Sequence, residues 1–418
     1  MLGRLLGVSF AWLLALNSGL AADWVSSERS GNIAQFAVTD PPQLALYDLQ
    51  ARQWLPSITF PTTRGPLTAV AFDDAGIYVA YDKAVYRYDV SGQNEQHVVN
   101  LSSTVQGLYL DGNLLLINHP VDLYTRVTSV SRTNHAVVAF LEVYVYSTHN
   151  ATIARSANRL LGTSSGVSPA DVTYVEYRDD GTFVRGGDSP HHGDYNVGKR
   201  TWLFPDEGRF VDSSGNCYSS SGLNHVLSFG TTITDLQFIG SDVPVVLSEN
   251  KIIGYNNALL QVGSTTLAAA AKSIFVSGGD VLAFSPGSGT SILVQTVPLT
   301  AISAPLPGQP VVADGLAFTP DDYFVDGTGV LNLFSKSHQN IFRWDPATQA
   351  FLAPVSLVGV PDYVAYSPQT NTLYTAYTTG LIRKLDLNAV NLEEVPFAQL
   401  PGRPRGLAKR LARPAARP

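Results

Sequence analysis

One pattern in this chain recurs at a fixed spacing and limits the folds that the chain can adopt. Four segments run from apolar residues into aspartate, and they end at Tyr47-Asp48, Tyr88-Asp89, Trp344-Asp345 and Leu385-Asp386. The first two aspartates are 41 residues apart, and the last two are also 41 residues apart. Each segment reads as the third of four short strands that are separated by turn residues. A period of about forty residues with four strands per period is typical of β-propeller blades.

The repeat unit is clearest near the C-terminus. Strands are predicted at residues 363–367, 373–378 and 381–387, with turns between them, and a fourth strand is predicted at 392–397. Residues 67–101 form a second complete unit, and looser copies lie between the two. Strands such as 373–377 are apolar on both faces, which suits a sheet packed between two neighbouring sheets. The sequence therefore predicts an all-β protein, a β-propeller of four-stranded blades.

The number of blades stays open at the level of the sequence. About nine repeat units can be counted, whereas most propellers hold roughly four to eight blades. In a first arrangement, residues 22–410 form one ring of seven or eight blades. The unit at residues 33–60 shows only three strands, so the C-terminal segment 405–409 would supply its missing strand and close the ring. In a second arrangement, residues 22–302 form one propeller, and residues 311–410, after a proline-rich linker, form part of another.

Two units also carry a family resemblance. Residues 77–89, Ile-Tyr-Val-Ala-Tyr-Asp-Lys-Ala-Val-Tyr-Arg-Tyr-Asp, and residues 373–386 resemble YVTN-type (YncE-like) bacterial propeller repeats. The wider sequence, including residues 188–195 and 339–345, is similar to uncharacterised exported propeller proteins of Gram-negative bacteria. The resemblance implies the propeller fold. It does not imply one activity, because such propellers include lactonases, quinoprotein-like enzymes and binding scaffolds.

The N-terminal residues have the features of a signal peptide. Arg4 precedes an apolar run at residues 5–16, and Gly19 and Ala21 supply the small residues that signal peptidase requires. We expect cleavage after Ala21 and export to the periplasm or the cell exterior. Residues 22–410 contain no further apolar run long enough to span a membrane. The basic segment 411–418 is predicted to be a disordered tail.

Charge and cysteine content exclude some classes of protein. The formal net charge is −7, which argues against nucleic acid as the main partner. Cys217 is the single cysteine, so the chain cannot form an intrachain disulfide, and its strand context predicts a buried small residue.

The densest group of metal-ligating side chains lies in one glycine-containing loop. Its members are Asp188, His191, His192 and Asp194. Imidazole and carboxylate groups ligate transition metals, but adjacent side chains of an extended backbone point in opposite directions. His191 and His192 are therefore expected to diverge, and we expect neither a bound metal nor another cofactor. No catalytic residue is assigned from the sequence.

Two functions remain open on the sequence. The first is an exported, monomeric, non-catalytic scaffold that binds a protein or a glycan. The second is a lactonase-like or quinoprotein-like enzyme with its site in the central channel. Charged side chains converging in the channel would favour the enzyme, whereas an uncharged, tyrosine-rich channel would favour the scaffold.

Overall fold

Most of the chain folds into short antiparallel strands. The computed structural model describes residues 23–121, 124–143, 150–164, 168–240, 243–256, 259–288, 291–303, 319–389, 392 and 394–404. These residues form nine antiparallel sheets, and consecutive strands are neighbours in every sheet. The all-β class that the sequence predicts is therefore confirmed. No helix within the described ranges combines the length and the apolar composition needed to cross a bilayer.

The first five sheets follow one another along the chain. Sheet 1 contains β1 (Trp24–Ser30), β2 (Ile33–Val38), β3 (Gln43–Asp48) and β4 (Gln53–Thr59). Sheet 2 contains β5 (Ala69–Asp73), β6 (Gly76–Tyr81), β7 (Ala84–Tyr88) and β8 (Gln96–Asn100). Sheet 3 contains β9 (Gly107–Asp111), β10 (Leu114–Val121), β11 (Tyr124–Ser131) and β12 (Val137–Val143). Sheet 4 contains β13 (Thr152–Ala154), β14 (Arg159–Thr163), β15 (Val172–Tyr177) and β16 (Phe183–Asp188). Sheet 5 contains β17 (Thr201–Leu203), β18 (Arg209–Asp212), β19 (Asn216–Ser219) and β20 (His225–Ser228).

Four further sheets complete the described part of the chain. Sheet 6 contains β21 (Asp235–Ile239), β22 (Val243–Ser248), β23 (Lys251–Tyr255) and β24 (Gln261–Thr266). Sheet 7, with three strands within the described ranges, contains β25 (Ser273–Ser277), β26 (Asp280–Pro286) and β27 (Ile292–Pro298). Sheet 8 contains β28 (Asp322–Val325), β29 (Leu331–Ser335), β30 (Asn340–Asp345) and β31 (Ala350–Ser356). Sheet 9 contains β32 (Tyr363–Ser367), β33 (Thr372–Ala376), β34 (Leu381–Asp386) and β35 (Val395–Gln399).

The second strands are the most deeply buried elements. All six residues of β6 and all six residues of β22 are buried. A strand with both faces buried must be covered by a sheet on each side, because successive side chains of a strand point to opposite faces. The apolar character of these strands on both faces therefore reflects sheets that stack against one another, as propeller blades do.

Hydrophobic clusters join the sheets in chain order from sheet 1 to sheet 7. Leu44 packs with Val79 between sheets 1 and 2, and Leu161 packs with Phe210 between sheets 4 and 5. Similar clusters join sheets 2 and 3, 3 and 4, 5 and 6, and 6 and 7. The first strands lie side by side, with β1 next to β5, β5 next to β9, β9 next to β13, and β13 next to β17. This series of sheets, with the first strands at one common edge, is the arrangement of propeller blades.

Sheet 1 also packs against sheet 7. Phe36 of β2 contacts Phe284 of β26, with ring centroids 4.8 Å apart, and Phe275 of β25, at 5.9 Å. The indole Nε1 of Trp24 donates a hydrogen bond to Ser273 Oγ at 3.0 Å. The two ends of the seven-sheet series are therefore in direct contact.

Sheets 8 and 9 share a core, and sheet 8 also contacts sheet 5 and, through Leu333 and Phe342, Leu260 beside β24 of sheet 6. Phe334 and Ile341 of sheet 8 pack with Leu373 and Leu385 of sheet 9. Strand β31 lies next to β20. The backbone N–H of Ser228 donates to the carbonyl of His338, and the side-chain amide of Asn340 donates to the carbonyl of Val226, each at 2.9 Å.

The structure corrects the sequence interpretation of the first unit. The three-strand prediction for residues 33–60 is wrong, because β1 pairs with β2 and completes a four-stranded sheet. The sequence Val-Ser-Ser-Glu-Arg-Ser within β1 has no apolar alternation, so its strand character is not visible in the pattern. The proposed closing segment 405–409, the tail 411–418 and the signal peptide 1–21 lie outside the described residues.

Candidate functional site

Three metal-ligating side chains meet at one end of sheet 4. Asp171 directly precedes β15, Asp188 is the last residue of β16, and His192 lies in the loop that follows. His192 Nδ1 is 3.2 Å from Asp171 Oδ2 and 3.6 Å from Asp188 Oδ2. One ligand atom from each residue lies within 4.8 Å of the other two. We call this group the Asp-Asp-His cluster.

The fold of the loop places His192 over the hairpin. The register pairs Thr173 with Asp188, so Asp171 and Asp188 lie at the same end of the β15–β16 hairpin. Gly193 has φ +80°, and a Cβ added there would lie 2.9 Å from Pro169 Cγ. A larger residue would be strained and would also clash. Glycine therefore allows the loop to turn tightly and to direct the preceding His192 towards the hairpin.

The electrostatics of the cluster are unusual for a surface loop. The side chain of Asp171 is only 5% exposed, whereas those of His192 and Asp188 are 57% and 41% exposed. Burial raises the pKa of Asp171 to about 6, although the hydrogen bonds that it accepts from the Val172 N–H and from His192 oppose that rise. Within the described residues neither carboxylate forms an ion pair with lysine or arginine. Two carboxylates therefore share a single imidazole.

The sequence identified part of this cluster. Asp188 and His192 come together as members, whereas His191 points to the other side, with its Nδ1 3.8 Å from Asp194 Oδ2 and its ring 5.6 Å from that of Tyr195. The two histidines diverge, as the sequence analysis predicts. Asp171 was missed. Asp171 lies two residues before Thr173, the register partner of Asp188, so only the pairing of β15 with β16 brings the two carboxylates together.

A second polar group lies along the first strands. Glu28 of β1 is exposed, yet desolvation raises its pKa, while the guanidinium groups of Arg200 and Arg155 oppose the rise. Glu28 forms no hydrogen bond or ion pair among the residues that the structure describes. Arg200 also reaches the buried carboxylate of Asp235, with Nη2 3.4 Å from Oδ1. Charged groups thus converge along the common edge of the first strands.

A buried polar chain joins sheet 5 to sheet 8. Ser356 Oγ is 2.5 Å from His225 Nδ1, and His225 Nε2 is 3.2 Å from Ser228 Oγ. Tyr195 stacks on the His225 ring at 3.9 Å and donates a hydrogen bond to the carbonyl of Leu357 at 2.7 Å. Burial lowers the pKa of His225 to about 3, so this imidazole is neutral at physiological pH. Tyr195 and His225 therefore connect the seven-sheet series to sheets 8 and 9.

Cys217 is a buried core residue. Its side chain is 0% exposed, and burial raises the pKa of the thiol to about 12. Nucleophilic cysteines are partly exposed and have lowered pKa values. The prediction of a buried small residue is confirmed.

One face of sheet 9 is apolar and exposed. The strand register places Tyr363, Tyr374 and Lys384 on the face opposite the core shared with sheet 8. The ring of Phe397 lies 5.1 Å from that of Tyr374 on this face. Tyr363 is 39% exposed and Phe397 is 55% exposed. We call this surface the outer face of sheet 9.

Sequence and structure comparisons differ in what they find for this chain. No protein-family model and no curated protein sequence matches the chain. Among solved structures, the chain is similar to the WD40 β-propeller domain of Doa1, with a TM-score of 0.47 and 13% identity. That similarity covers 67% of this chain and 94% of the other. The propeller-like arrangement follows from the packing of this chain's own sheets, and the resemblance to YVTN-type repeats stays a prediction.

Proposed function

We propose that sheets 1 to 7 form a closed seven-bladed propeller and that sheets 8 and 9 form a separate unit attached to it. The contact between sheets 1 and 7 supports closure by β1. Besides the bond from Trp24, Ser27 Oγ lies 2.7 Å from Ser273 Oγ, and Arg29 Nη1 donates to the carbonyl of Val276 at 2.6 Å. This proposal favours the second arrangement that the sequence left open, with a propeller over residues 22–302.

The function that this arrangement supports best is an exported, non-catalytic scaffold that binds a protein partner. The observation that carries the proposal is the position of the exposed large apolar side chains. Of the fifteen exposed large apolar side chains among the described residues, seven lie in or beside sheets 8 and 9, namely Tyr323, Val325, Val360, Tyr363, Val395, Phe397 and Leu400. Contiguous exposed apolar patches mark interaction sites on soluble proteins.

The chemistry of the outer face of sheet 9 favours a protein over a glycan. Val395 pairs with Lys384 next to the aromatic residues Tyr374 and Phe397, and Val395 is 40% exposed. A glycan site needs many polar groups to match sugar hydroxyls, because unpaired polar groups are costly to bury. A face of aromatic and aliphatic side chains with a single lysine instead matches the apolar core and polar rim of a protein interface.

The experiment uses a photoreactive phenylalanine analogue at position 397 in the cells that produce the protein. Irradiation should attach a partner protein there, which mass spectrometry identifies. The purified partner should then bind wild-type protein and should bind Phe397→Ser at least about tenfold more weakly, because interface hot spots contribute about 2 kcal/mol or more.

Phe140→Ser supplies the matched control. Phe140 is 59% exposed, close to the 55% of Phe397, but it lies in sheet 3. The control variant should bind the partner like wild type. Equal losses in the two variants, or a glycan that binds the outer face while no protein is cross-linked, would contradict the proposal.

An enzyme with its site among the first strands is the second candidate. The charged group around Glu28 favours it, because a carboxyl group with a raised pKa can act as a general acid or base. Measurable hydrolysis of a simple lactone by wild-type protein, lost in Glu28→Gln, would support this function and contradict the non-catalytic scaffold.

Export is part of the proposal and has its own test. The charged, apolar and small-residue segments at the start predict removal of residues 1–21. N-terminal sequencing of protein recovered from the periplasm or the medium should begin at Ala22 or Asp23. Protein that retains Met1 and stays in the membrane fraction would contradict export by cleavage.

A further inference from the structure

We propose that the Asp-Asp-His cluster of Asp171, Asp188 and His192 binds one divalent transition-metal ion. This inference is independent of the scaffold function and departs from the expectation that the sequence supported. The sequence predicts no metal because two adjacent histidines are expected to diverge. In the structure His191 and His192 contact different carboxylates. Asp171, which directly precedes β15, takes the place that a second histidine would have beside His192.

The distances between the ligand atoms fit coordination to one ion. Transition metals bind nitrogen and oxygen ligands at about 2.0–2.2 Å. Two ligands of one ion are then about 3.0 Å apart in octahedral geometry and about 3.4 Å apart in tetrahedral geometry. His192 Nδ1 is 3.2 Å from Asp171 Oδ2 and 3.6 Å from Asp188 Oδ2. A small displacement of exposed side chains would bring all three atoms to a common ion.

The charge of the cluster also points to a cation. A simple carboxylate–histidine pair needs one carboxylate, whereas here two carboxylates are directed at the same ring nitrogen. No lysine or arginine in the described ranges forms an ion pair with either one. Like charges held together raise the electrostatic energy of the folded protein, and a divalent cation would remove that cost.

The donor set narrows the class of metal. Imidazole favours zinc, copper, iron and nickel over magnesium and calcium, while carboxylates are accepted by most divalent ions. Zn²⁺ is therefore the appropriate probe. His192 and Asp188 are 57% and 41% exposed, so water can complete the coordination of an ion that has three protein ligands.

The position of the cluster gives the ion a structural consequence. His192 and Tyr195 belong to the same loop, and Tyr195 contacts His225 of sheet 5 and Leu357 of the segment after sheet 8. An ion bound at His192 would hold this loop against the β15–β16 hairpin. Metal binding would therefore strengthen the connection between the seven-sheet series and sheets 8 and 9.

The experiment is a titration of the purified full-length mature protein, without an affinity tag and after treatment with a chelator. Calorimetric titration with Zn²⁺ should show about one site, and the melting temperature should rise when Zn²⁺ is present. His192→Ala should lower the affinity at least about tenfold and abolish the rise. Asp188→Asn, a change at a half-exposed side chain, should do the same.

The adjacent histidine supplies the control. His191→Ala should retain the affinity and the metal-dependent rise in melting temperature, since His191 faces Asp194 and Tyr195. Melting curves without metal show whether each variant is folded. The proposal is overturned if wild-type protein does not bind Zn²⁺, if binding survives both His192→Ala and Asp188→Asn, or if His191→Ala loses binding to the same degree.

Discussion

Replacing Trp24 by alanine is expected to lower the free energy of unfolding by about 3–5 kcal/mol, the range for truncating a large buried aromatic side chain. Trp24 is 1% exposed and packs edge-to-face on Phe36 at 5.4 Å. Its indole N–H also bonds to Ser273 Oγ of sheet 7. The substitution would open a cavity at the contact between sheets 1 and 7 and remove a buried hydrogen bond. Chemical denaturation of the purified protein measures the loss.

Trp54→Ala is the matched control in the same sheet. Trp54 is 40% exposed although it also contacts Phe36, at 5.8 Å, so its replacement should lower the free energy of unfolding clearly less.

Deleting residues 405–418 distinguishes closure by β1 from closure by the C-terminal segment. Closure by β1 predicts an unchanged melting temperature after that deletion. A large fall after the deletion, together with a small effect of Trp24→Ala, would restore closure by the C-terminal segment.

Acidification should destabilise the protein through its buried histidines, and His225 should make the largest contribution. Burial, with a smaller contribution from the nearby His191, lowers the pKa of His225 to about 3. In the unfolded chain a histidine binds a proton below about pH 6.5. The unfolded state therefore binds more protons between about pH 6.5 and 3, and stability falls as the pH falls through this window. At about 1.36 kcal/mol per pKa unit, His225 alone accounts for roughly 4–5 kcal/mol near pH 3.

Buried carboxyl groups such as Asp171 and Asp212 act in the opposite direction. Burial raises the pKa values of Asp171 and Asp212 to about 6 each. Their folded pKa values lie above those of the unfolded chain, so the folded state binds more protons between about pH 4 and 6, and stability rises as the pH falls there. The pH dependence of the free energy of unfolding is the sum of the contributions of all these groups. The contribution of one histidine is therefore measured by comparing wild type with a variant that lacks that histidine.

The measurement is the free energy of unfolding of wild type and His225→Asn from pH 7.5 to 4. The advantage of wild type should shrink as the pH falls below about 6.5, because the variant has no imidazole to protonate at this position. His97→Asn, at an exposed histidine, controls for loss of a histidine elsewhere. Parallel profiles for wild type and His225→Asn would contradict the assignment of His225 as the acid-sensitive group.

The sequence predicted the strands of the regular units well, because their period and turns are local signals. The strand predicted at residues 363–367 is β32, and the strand predicted at 381–387 closely matches β34 (Leu381–Asp386). The fourth strand of that unit was predicted at 392–397 and is observed at Val395–Gln399. Strand β1 was missed because a polar strand at a sheet edge has no apolar alternation for the pattern to show.

The sequence pattern also identified two of the three residues of the Asp-Asp-His cluster. Asp188 and His192 are close in the chain, so a local search finds them. Asp171 is 17 residues before Asp188, and only the register of the hairpin makes the two neighbours. The sequence does not determine that register, because a slip of one residue changes which side chains are adjacent.

By itself, the sequence determined the all-β class, the four-stranded repeat and the divergence of His191 and His192. These properties depend on residues that are near one another in the chain, where alternation and turn chemistry act directly. Only the tertiary structure decided that β1 contacts sheet 7, that sheets 8 and 9 share a core of their own, and that Asp171 joins His192. Each of these depends on pairs distant in sequence, such as Trp24 with Ser273, 249 residues apart. Many such pairings are compatible with one hydrophobic pattern, and side-chain packing in three dimensions selects among them.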